Sequence, residues 1–241
     1  MTTGYAVKME PMKYFIRFLL AYGVFLAACD KAPYLTDEGL HSTSTPLSTY
    51  DYLAQHPAGL FDTLTLVIDH FGLKADVNES GTFFAPTDYS LRLFYNKKLQ
   101  QLRTIDENAT YSLAQMMEDI TVDSLKAYLF NDRLTLAEAT VPYHRITSEA
   151  GFSAFAYHKQ LRSTSGTNWS SHPVYHLYFV KIRGQEDIVA DDGATVPVGD
   201  DPADLRIRCQ TTGIETASGS ILHVLANTHV FISDFYYTDN E

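Results

Sequence analysis

The spacing of apolar residues changes near residue 141, and this change constrains the fold more than any other feature of the chain. Before it, apolar residues recur every three or four positions, as in Leu64, Val67 and Phe71, which is the spacing of one helix face. After it, apolar and polar residues alternate, as they do in strands that are buried on one face. Helices followed by strands predict an α+β domain in which a helical first half packs on a sheet formed mainly by the second half.

Start and stop signals locate the helices of the first half. One helix is predicted to begin at Thr49, and a second to be capped by Asp62 and ended by Gly72. A carboxylate can accept from the free amides at a helix start, and glycine tolerates the left-handed conformation at its end. Another helix is predicted over residues 121–131. Its inward side chains are expected to be Val122, Leu125, Leu129 and Phe130.

Alternating runs mark the strands of the second half. They cover residues 152–157, 174–182 and 205–209, and clusters of Gly, Pro and Asp separate them. Two segments between them, 159–174 and 184–204, are longer than a turn requires, and we interpret them as insertions that enlarge the strand region. Insertions in a fixed scaffold are where specific function tends to lie.

A basic start, a short apolar core and small residues before a cysteine occupy residues 12–29. Lys13 and Arg17 supply the charge, and the uncharged run that follows ends at Cys29, short of the roughly 20 apolar residues of a spanning helix. The segment resembles the signal peptide and lipobox of bacterial lipoproteins. The resemblance implies lipidation of Cys29, attachment to a lipid bilayer through that residue, and a place in the outer membrane or at the cell surface.

The polar segment after the cysteine, residues 30–47, is rich in Ser, Thr and Pro and has no apolar periodicity. Such a composition is typical of a flexible tether. The predicted organisation is a signal peptide at 1–28, a lipidated cysteine and tether at 29–47, and a single folded domain at 48–238.

Net charge restricts the partners of this chain. The whole sequence has a formal net charge of −11, and without residues 1–28 it has 15 basic and 28 acidic residues, a net charge of −13. Because an acidic surface repels phosphate backbones, we expect no nucleic-acid partner. Cys209 is the one cysteine other than Cys29, and we expect it to be a small buried residue of a strand.

Two short runs resemble the signatures of the fasciclin-like domain. Residues 81–88, Gly-Thr-Phe-Phe-Ala-Pro-Thr-Asp, resemble the first signature, a strand that ends in Ala-Pro-Thr before a helix. Residues 219–225 resemble the late signature, in which a glycine turn leads into a strand of the form Ile-His-Val-Ile. Residues 123–129 are similar to the Leu-rich helix between them, so the resemblance covers approximately residues 48–235. It implies a module for adhesion or interaction.

The resemblance gives a structural role to a set of motif residues. The set is Thr82, Phe83, Ala85, Pro86, Thr87, Asp88, Gly219, Ile221, His223 and Val224. Pro86 has no amide to donate and ends its strand, and Thr87 or Asp88 can accept from the free amides of the next helix. We expect His223 to be a core histidine bonded to a nearby loop; a metal site is the alternative. The family's adhesive Tyr-His pair is missing at residues 129–132.

The first insertion carries the candidate ligand site. It contains the only Trp, with hydroxyl, amide and guanidinium groups around it, and it joins two predicted strands as a long hairpin loop. The candidate ligand-binding residues are Trp169, Arg162, Asn168 and His172. An aromatic ring surrounded by polar groups can stack on the face of a sugar while those groups form hydrogen bonds with the sugar hydroxyls. In the alternative, which we favour, Trp169 covers the end of the sheet.

The second insertion is acidic, with carboxylates at Glu186, Asp187, Asp191, Asp192, Asp200, Asp201 and Asp204. Carboxylate oxygens can bind calcium, but their spacing does not match a 12-residue calcium loop. Asp-Asp-Gly and Asp-Asp-Pro are also common in turns. We therefore expect a solvated acidic loop and no metal or cofactor.

Catalytic motifs are missing from the sequence. It has no Gly-x-Ser-x-Gly, no His-Glu-x-x-His, no phosphate-binding glycine loop and no Cys-x-x-Cys. The expected function is a lipid-anchored binding module without enzymatic activity that engages a glycan or a protein partner, in a narrower version as an accessory of an outer-membrane polysaccharide-uptake complex. Two alternatives stay open: an envelope glycoside hydrolase with an acidic pair, and a purely structural assembly protein.

Overall fold

The computed structural model describes residues 44–162 and 173–232, which belong to one compact unit, Thr43–Glu241. Its helices are α1 (Thr49–Ala54), α2 (Asp62–His70), α3 (Lys74–Glu79), α4 (Asp88–Ile105), α5 (Leu113–Asp119) and α6 (Val122–Lys126). Its strands are β1 (Thr82–Ala85), β2 (Leu129–Phe130), β3 (His144–Ile146), β4 (Phe155–Leu161), β5 (Tyr175–Lys181), β6 (Ile188–Val189), β7 (Thr195–Val196), β8 (Leu205–Glu215) and β9 (Ile221–Leu225). Helices dominate the first half and strands the second, so the predicted α+β class is confirmed.

A mixed sheet of seven strands, in the order β2-β1-β9-β8-β5-β4-β3, forms the centre of the described fold. β1 and β9 are parallel, and the other neighbouring strands are antiparallel. The loop after β3 returns to the opposite edge, where the Glu149 amide donates to the Leu129 carbonyl of β2 at 2.8 Å. This bond brings the two edges together, so the sheet nearly closes on itself.

Aromatic rings fill the inner face of this sheet. Phe179 of β5 stacks on Phe84 of β1 at 4.6 Å and on Phe155 of β4 at 5.1 Å between ring centroids, and Phe130 of β2 meets it edge-on at 5.8 Å. All four side chains are buried in one continuous hydrophobic cluster that also contains the inward side chains of α2. The inner face of the sheet is therefore the main core.

The helix predicted over residues 121–131 is too long, because α6 ends at Lys126. Leu129 and Phe130 instead form β2, which pairs antiparallel with Phe83 and Thr82 of β1. Pairing with a buried strand edge satisfies backbone groups that a continued helix would turn away from β1. Val122, which we expected to face inward, is exposed.

The predicted helix caps also differ from the observed ones. Asp62 lies in the first turn of α2, where no side chain of the preceding residue caps the helix. The carboxylate of Asp88 accepts the free amides of Thr63 and Leu64 at 2.9–3.1 Å, so it caps α2 instead of its own helix α4. Thr87 donates its hydroxyl to Asn227. Asp88 thus ties α4 to α2 across 25 positions of sequence, a contact that no local pattern reveals.

Two residues just before position 48 form backbone hydrogen bonds at the end of β8. The Thr45 amide donates to the Glu215 carbonyl, and the Ala217 amide donates to the Leu47 carbonyl, each at 2.8 Å. The last residues of the expected tether therefore lie against the end of β8. In the described part of the chain, every helix is too short or too polar to span a bilayer.

The second insertion, residues 184–204, folds across the outer face of the sheet, and we refer to it as the strap. It contains the two-stranded hairpin of β6 and β7, with Ile188 opposite Val196. The Leu161 amide at the free edge of β4 donates to the Asp192 carbonyl of the strap at 3.0 Å. The strap thereby covers part of a strand edge that would otherwise present unpaired backbone groups.

Candidate binding site

A groove of about 520 Å³ lies between the loop that precedes α2 and the helices α4 and α5. Pockets of roughly 300–1,000 Å³ with an apolar lining and few polar groups are the usual form of ligand sites. Its lining is formed by Ala58, Gly59, Leu60, Thr63, Asp88, Tyr89, Leu91, Arg92, Tyr95, Leu113 and Met116. Within the described residues, Arg162 is the sequence-predicted ligand residue, and it is not part of this lining.

The wall formed by the loop before α2 depends on two local features. Gly59 has a φ of 56°, a left-handed conformation that suits glycine, and a Cβ there would lie 2.9 Å from the Asp62 carboxylate. The Asp88 amide donates to the Leu60 carbonyl at 2.9 Å, while the Asp88 carboxylate caps α2. The loop is thus held against the start of α4, which fixes the width of the groove.

The rim of the groove combines an aromatic ring with a cation. Tyr89 is exposed at the start of α4, and the guanidinium carbon of Arg92 lies 4.7 Å from its ring centroid. Such a cation–π contact preorganises the arginine above the groove. In the described part of the chain, Arg92 forms no salt bridge, so its charge is available to a ligand.

The α5 wall closes the opposite side. Ser112 and Gln115 form a capping box, in which the Gln115 amide donates to the Ser112 hydroxyl at 3.2 Å and the Ser112 amide donates to the Gln115 side chain at 2.8 Å. The Tyr95 hydroxyl donates to the Tyr111 carbonyl, which links α4 to this wall. Burial and the hydrogen bond to Asp119 raise the pKa of Tyr111, so its hydroxyl stays protonated. The capping box is the sequence signal that would have predicted α5.

Of the candidate ligand residues of the first insertion, the structure describes Arg162. Arg162 is exposed directly after β4, and its amide donates to the Val174 carbonyl at 2.8 Å. β4 and β5 on either side pair antiparallel up to Leu161 and Tyr175, so the segment between them connects a hairpin. Trp169, Asn168 and His172 lie outside the described residues, as does Cys29.

Two acidic residues of the strap correct the expectation of a solvated loop. Asp187 and Asp204 are buried, and each carboxylate accepts from the backbone amide of the other residue, at 3.3 and 2.9 Å. Asp204 also accepts from the Arg183 amide at 2.7 Å. Burial, with Asp187 close by, raises the pKa of Asp204. Buried backbone amides require hydrogen-bond acceptors, and these two carboxylates are buried because they supply them.

The polar hub of the strap is Arg206 of β8. Its guanidinium donates to His158 at 3.2 Å, to Gln160 at 2.7 Å, and to the Gly193 carbonyl and Thr195 hydroxyl of the strap, both at 3.2 Å. Because Arg206 donates to Nε2 of the buried His158, that ring carries its proton on Nδ1, which faces the Val141 carbonyl at 3.1 Å. Burial lowers the pKa of His158 to about 4. This hub joins strap and sheet.

His223 of the late motif is fully buried in β9. Its Nε2 lies 2.7 Å from the Leu134 carbonyl, and its Nδ1 accepts from the Gly213 amide at 3.1 Å. Burial lowers the pKa of this ring to about 4, so it is neutral at neutral pH. Both ring nitrogens are engaged with backbone, which gives His223 a structural role. Cys209 is buried as well, and burial raises the pKa of its thiol.

A second, polar depression lies at the seam where the sheet closes. It is lined by Ala75, Asp76, Glu79, Lys126, Asn131 and Glu149. Lys126 forms an ion pair with Asp76, and burial raises the pKa of Glu149. Within the described ranges, no three His, Cys, Asp or Glu side chains are arranged to hold a metal ion. The ion pair and the polar lining suit a surface that stays hydrated.

Comparison with protein-family models gives no match, and comparison with curated proteins gives none either.

Proposed function

We propose that this chain is a lipid-anchored, fasciclin-like binding module of the bacterial cell envelope, which engages a glycan or a protein partner without chemistry of its own. In the narrower form of the proposal it is an accessory of an outer-membrane polysaccharide-uptake complex. The observation that carries the binding function is the groove between α4 and α5. It joins an apolar floor to an exposed aromatic ring and to a guanidinium that has no salt bridge to any described residue.

The arrangement of the two signature-like runs supports the fasciclin-like part of the proposal. The run that begins at Gly81 forms β1, and the run that begins at Gly219 forms β9. The two strands are parallel neighbours, with Thr82 opposite Ile221 and Ala85 opposite Val224. Motifs far apart in sequence thus meet at the centre of the sheet, where each would restrain the other.

The anchor is tested by labelling cells that express the chain with an alkyne fatty acid. We expect the native chain to be labelled and to sediment with membranes, and Cys29→Ser to be unlabelled and released. Cys209→Ser is the matched control, and it should keep both the label and the membrane fraction. Label retained in Cys29→Ser would remove the lipoprotein assignment.

The binding function is tested with a glycan array and with immobilised envelope proteins, using the full chain in lipid nanodiscs. Tyr89→Ala should abolish retention if the groove is the site, because the exposed ring offers the largest contact area at the rim. Trp169→Ala tests the first insertion in the same assay. Loss of retention only in Trp169→Ala would move the site to that insertion, and no retention of any probe by the native chain would contradict a binding module.

A further inference from the structure

The groove offers few polar groups to a sugar. The Asp88 carboxylate is engaged by the amides of Thr63 and Leu64, and the Tyr95 hydroxyl by the Tyr111 carbonyl. A glycan site needs several free donors and acceptors in register with the ring hydroxyls, since desolvated hydroxyls without partners cost free energy. The lining therefore matches a carbohydrate poorly.

Apolar contact is what the floor and the far wall of the groove provide. Leu91 and Met116 are buried at its base, and Leu60 is half-buried beside them. Leu113, on the α5 wall, is 48 % exposed although it borders this apolar floor. A large apolar side chain placed here would cover Leu60 and Leu113, the two of these residues that still contact water, and such burial favours binding in proportion to the area covered.

Two charged residues line the groove, the cation Arg92 and the carboxylate Asp88. The chain as a whole is acidic, with a formal net charge of −11, yet Arg92 stands over the groove without a salt-bridge partner among the described residues. The Asp88 carboxylate is offset by the amides of the α2 start that it caps. A planar guanidinium matches a carboxylate in a two-point contact, so the local field selects an anionic group.

We propose that the groove binds a segment of a partner protein that presents a large apolar side chain next to an Asp or Glu. The apolar side chain lies on Leu60 and Leu113, and the carboxylate pairs with Arg92. This inference rests on the proposed function, in that it takes the groove to be the binding surface, and it selects a protein ligand over a glycan. An open groove at the surface, lined mainly by side chains of two helices, suits an exposed peptide segment.

The experiment selects peptides from a random seven-residue display library on the full chain in lipid nanodiscs. We expect the recovered sequences to share an apolar residue adjacent to Asp or Glu. One recovered peptide is then synthesised in two forms, with the acidic residue intact or replaced by its amide. Fluorescence anisotropy measures the Kd of both forms for the native chain and for each variant.

Arg92→Gln should raise the Kd of the acidic peptide about five-fold, because the partly exposed ion pair is lost. The variant should therefore bind the acidic and the amide forms with equal Kd values. Arg103→Gln makes the same change on the same helix outside the groove and should leave both Kd values unchanged. Leu113→Ser should weaken both forms about ten-fold through lost apolar contact. Leu66→Ser, at a similarly exposed leucine of α2, is its control.

The outcomes separate this inference from the proposed function. Peptides whose Kd is unchanged by Arg92→Gln and Leu113→Ser would overturn the inference. Glycan retention that is lost in Tyr89→Ala would overturn it as well, while the groove would stand as the binding surface. If neither peptides nor glycans bind the native chain, the proposed function and the inference fail together.

Discussion

The inner face of the curved sheet is packed with aromatic rings, whereas the outer face combines a small apolar cluster of Ala156, Val180 and Ile182 with polar contacts. On the inner face, Phe179 stacks on Phe84 and on Phe155, and this packing depends only on shape and buried area. On the outer face, Arg206 uses four hydrogen bonds to join β8 to His158, Gln160 and the strap. A ring lost inside leaves a cavity, whereas a partner lost outside leaves buried polar atoms unpaired. The inner face thus sets global stability, and the outer face sets how firmly the strap is closed.

The largest effect is expected on the inner face. Phe179→Ala should lower the free energy of unfolding by about 3–5 kcal/mol, because it removes the ring that contacts Phe84, Phe130 and Phe155. Urea denaturation followed by circular dichroism measures the change. A loss below about 1 kcal/mol would mean that the aromatic cluster does not act as the common core.

The pH dependence of stability should reflect two buried histidines, one on each face of the sheet. Burial lowers the pKa of His158 and of His223 to about 4. Between pH 6.5 and 4 these two rings are protonated in the unfolded chain but neutral in the folded chain. The free energy of unfolding should therefore fall as the pH drops from 6.5 to 4, by roughly 3 kcal/mol for each ring.

His158→Gln separates the two contributions. The glutamine oxygen can still accept from Arg206, and it does not titrate, so about half of the histidine-dependent loss between pH 6.5 and 4 should disappear. Subtracting the variant from the native chain cancels the titration of carboxylates such as Asp204. Urea unfolding at several pH values makes the measurement, and identical pH profiles would show that His158 is not buried as a neutral ring.

The outer hub should have a smaller and more local effect. Arg206→Met should lower the free energy of unfolding by about 1–3 kcal/mol, since His158 and Gln160 lose their donor. Hydrogen exchange should quicken at the Leu161 amide, which donates to the strap. Arg208→Met, two residues along the same strand at an exposed position, is the control and should change stability by less than about 0.5 kcal/mol. Equal changes in the free energy of unfolding for the two variants would contradict the role of Arg206 in joining the strap to the sheet.

The smallest effect is the expected difference between two glycine variants. Gly151 and Gly193 both have a positive φ, of 81° and 84°. Gly151→Ala meets open space and should cost only the backbone penalty, about 1–2 kcal/mol. In Gly193→Ala the new Cβ would lie 2.7 Å from the Gln160 Cα, so about 1 kcal/mol more should be lost as the strap is displaced. Equal thermal-unfolding losses would mean that the strap adapts without strain.

The contrast between the faces also explains what the sequence could predict. Alternation in β5 follows from burial of one face, and together with the similar runs of β4 and β8 it predicts these strands and the α+β class. β9 is buried at all five residues, and it is expected only from the resemblance to the late fasciclin signature. The helix before residue 131 was overextended because the pairing of Leu129 with Phe83 is a tertiary contact. Local propensity does not contain such a contact.

The contacts that shape the groove and that hold the strap on the sheet could not be predicted from the sequence, for the same reason. Asp88 caps a helix 25 positions away, and Arg206 contacts His158 from 48 positions away. Both contacts arise from the packed fold and leave no periodic mark in the sequence. The capping box at Ser112 was the one local signal for the α5 wall that could have been found.

The parallel pairing of β1 with β9 has a consequence for the order in which this chain folds. β9 supplies the sheet's third strand, and it comes from nearly the last described residues. While the chain emerges, β1 has one unpaired edge and the helices lack much of the surface that they cover. Folding is therefore governed by contacts of long sequence separation, which makes it slow. The β1 strand thus lacks its central neighbour until nearly all of the described residues have been synthesised.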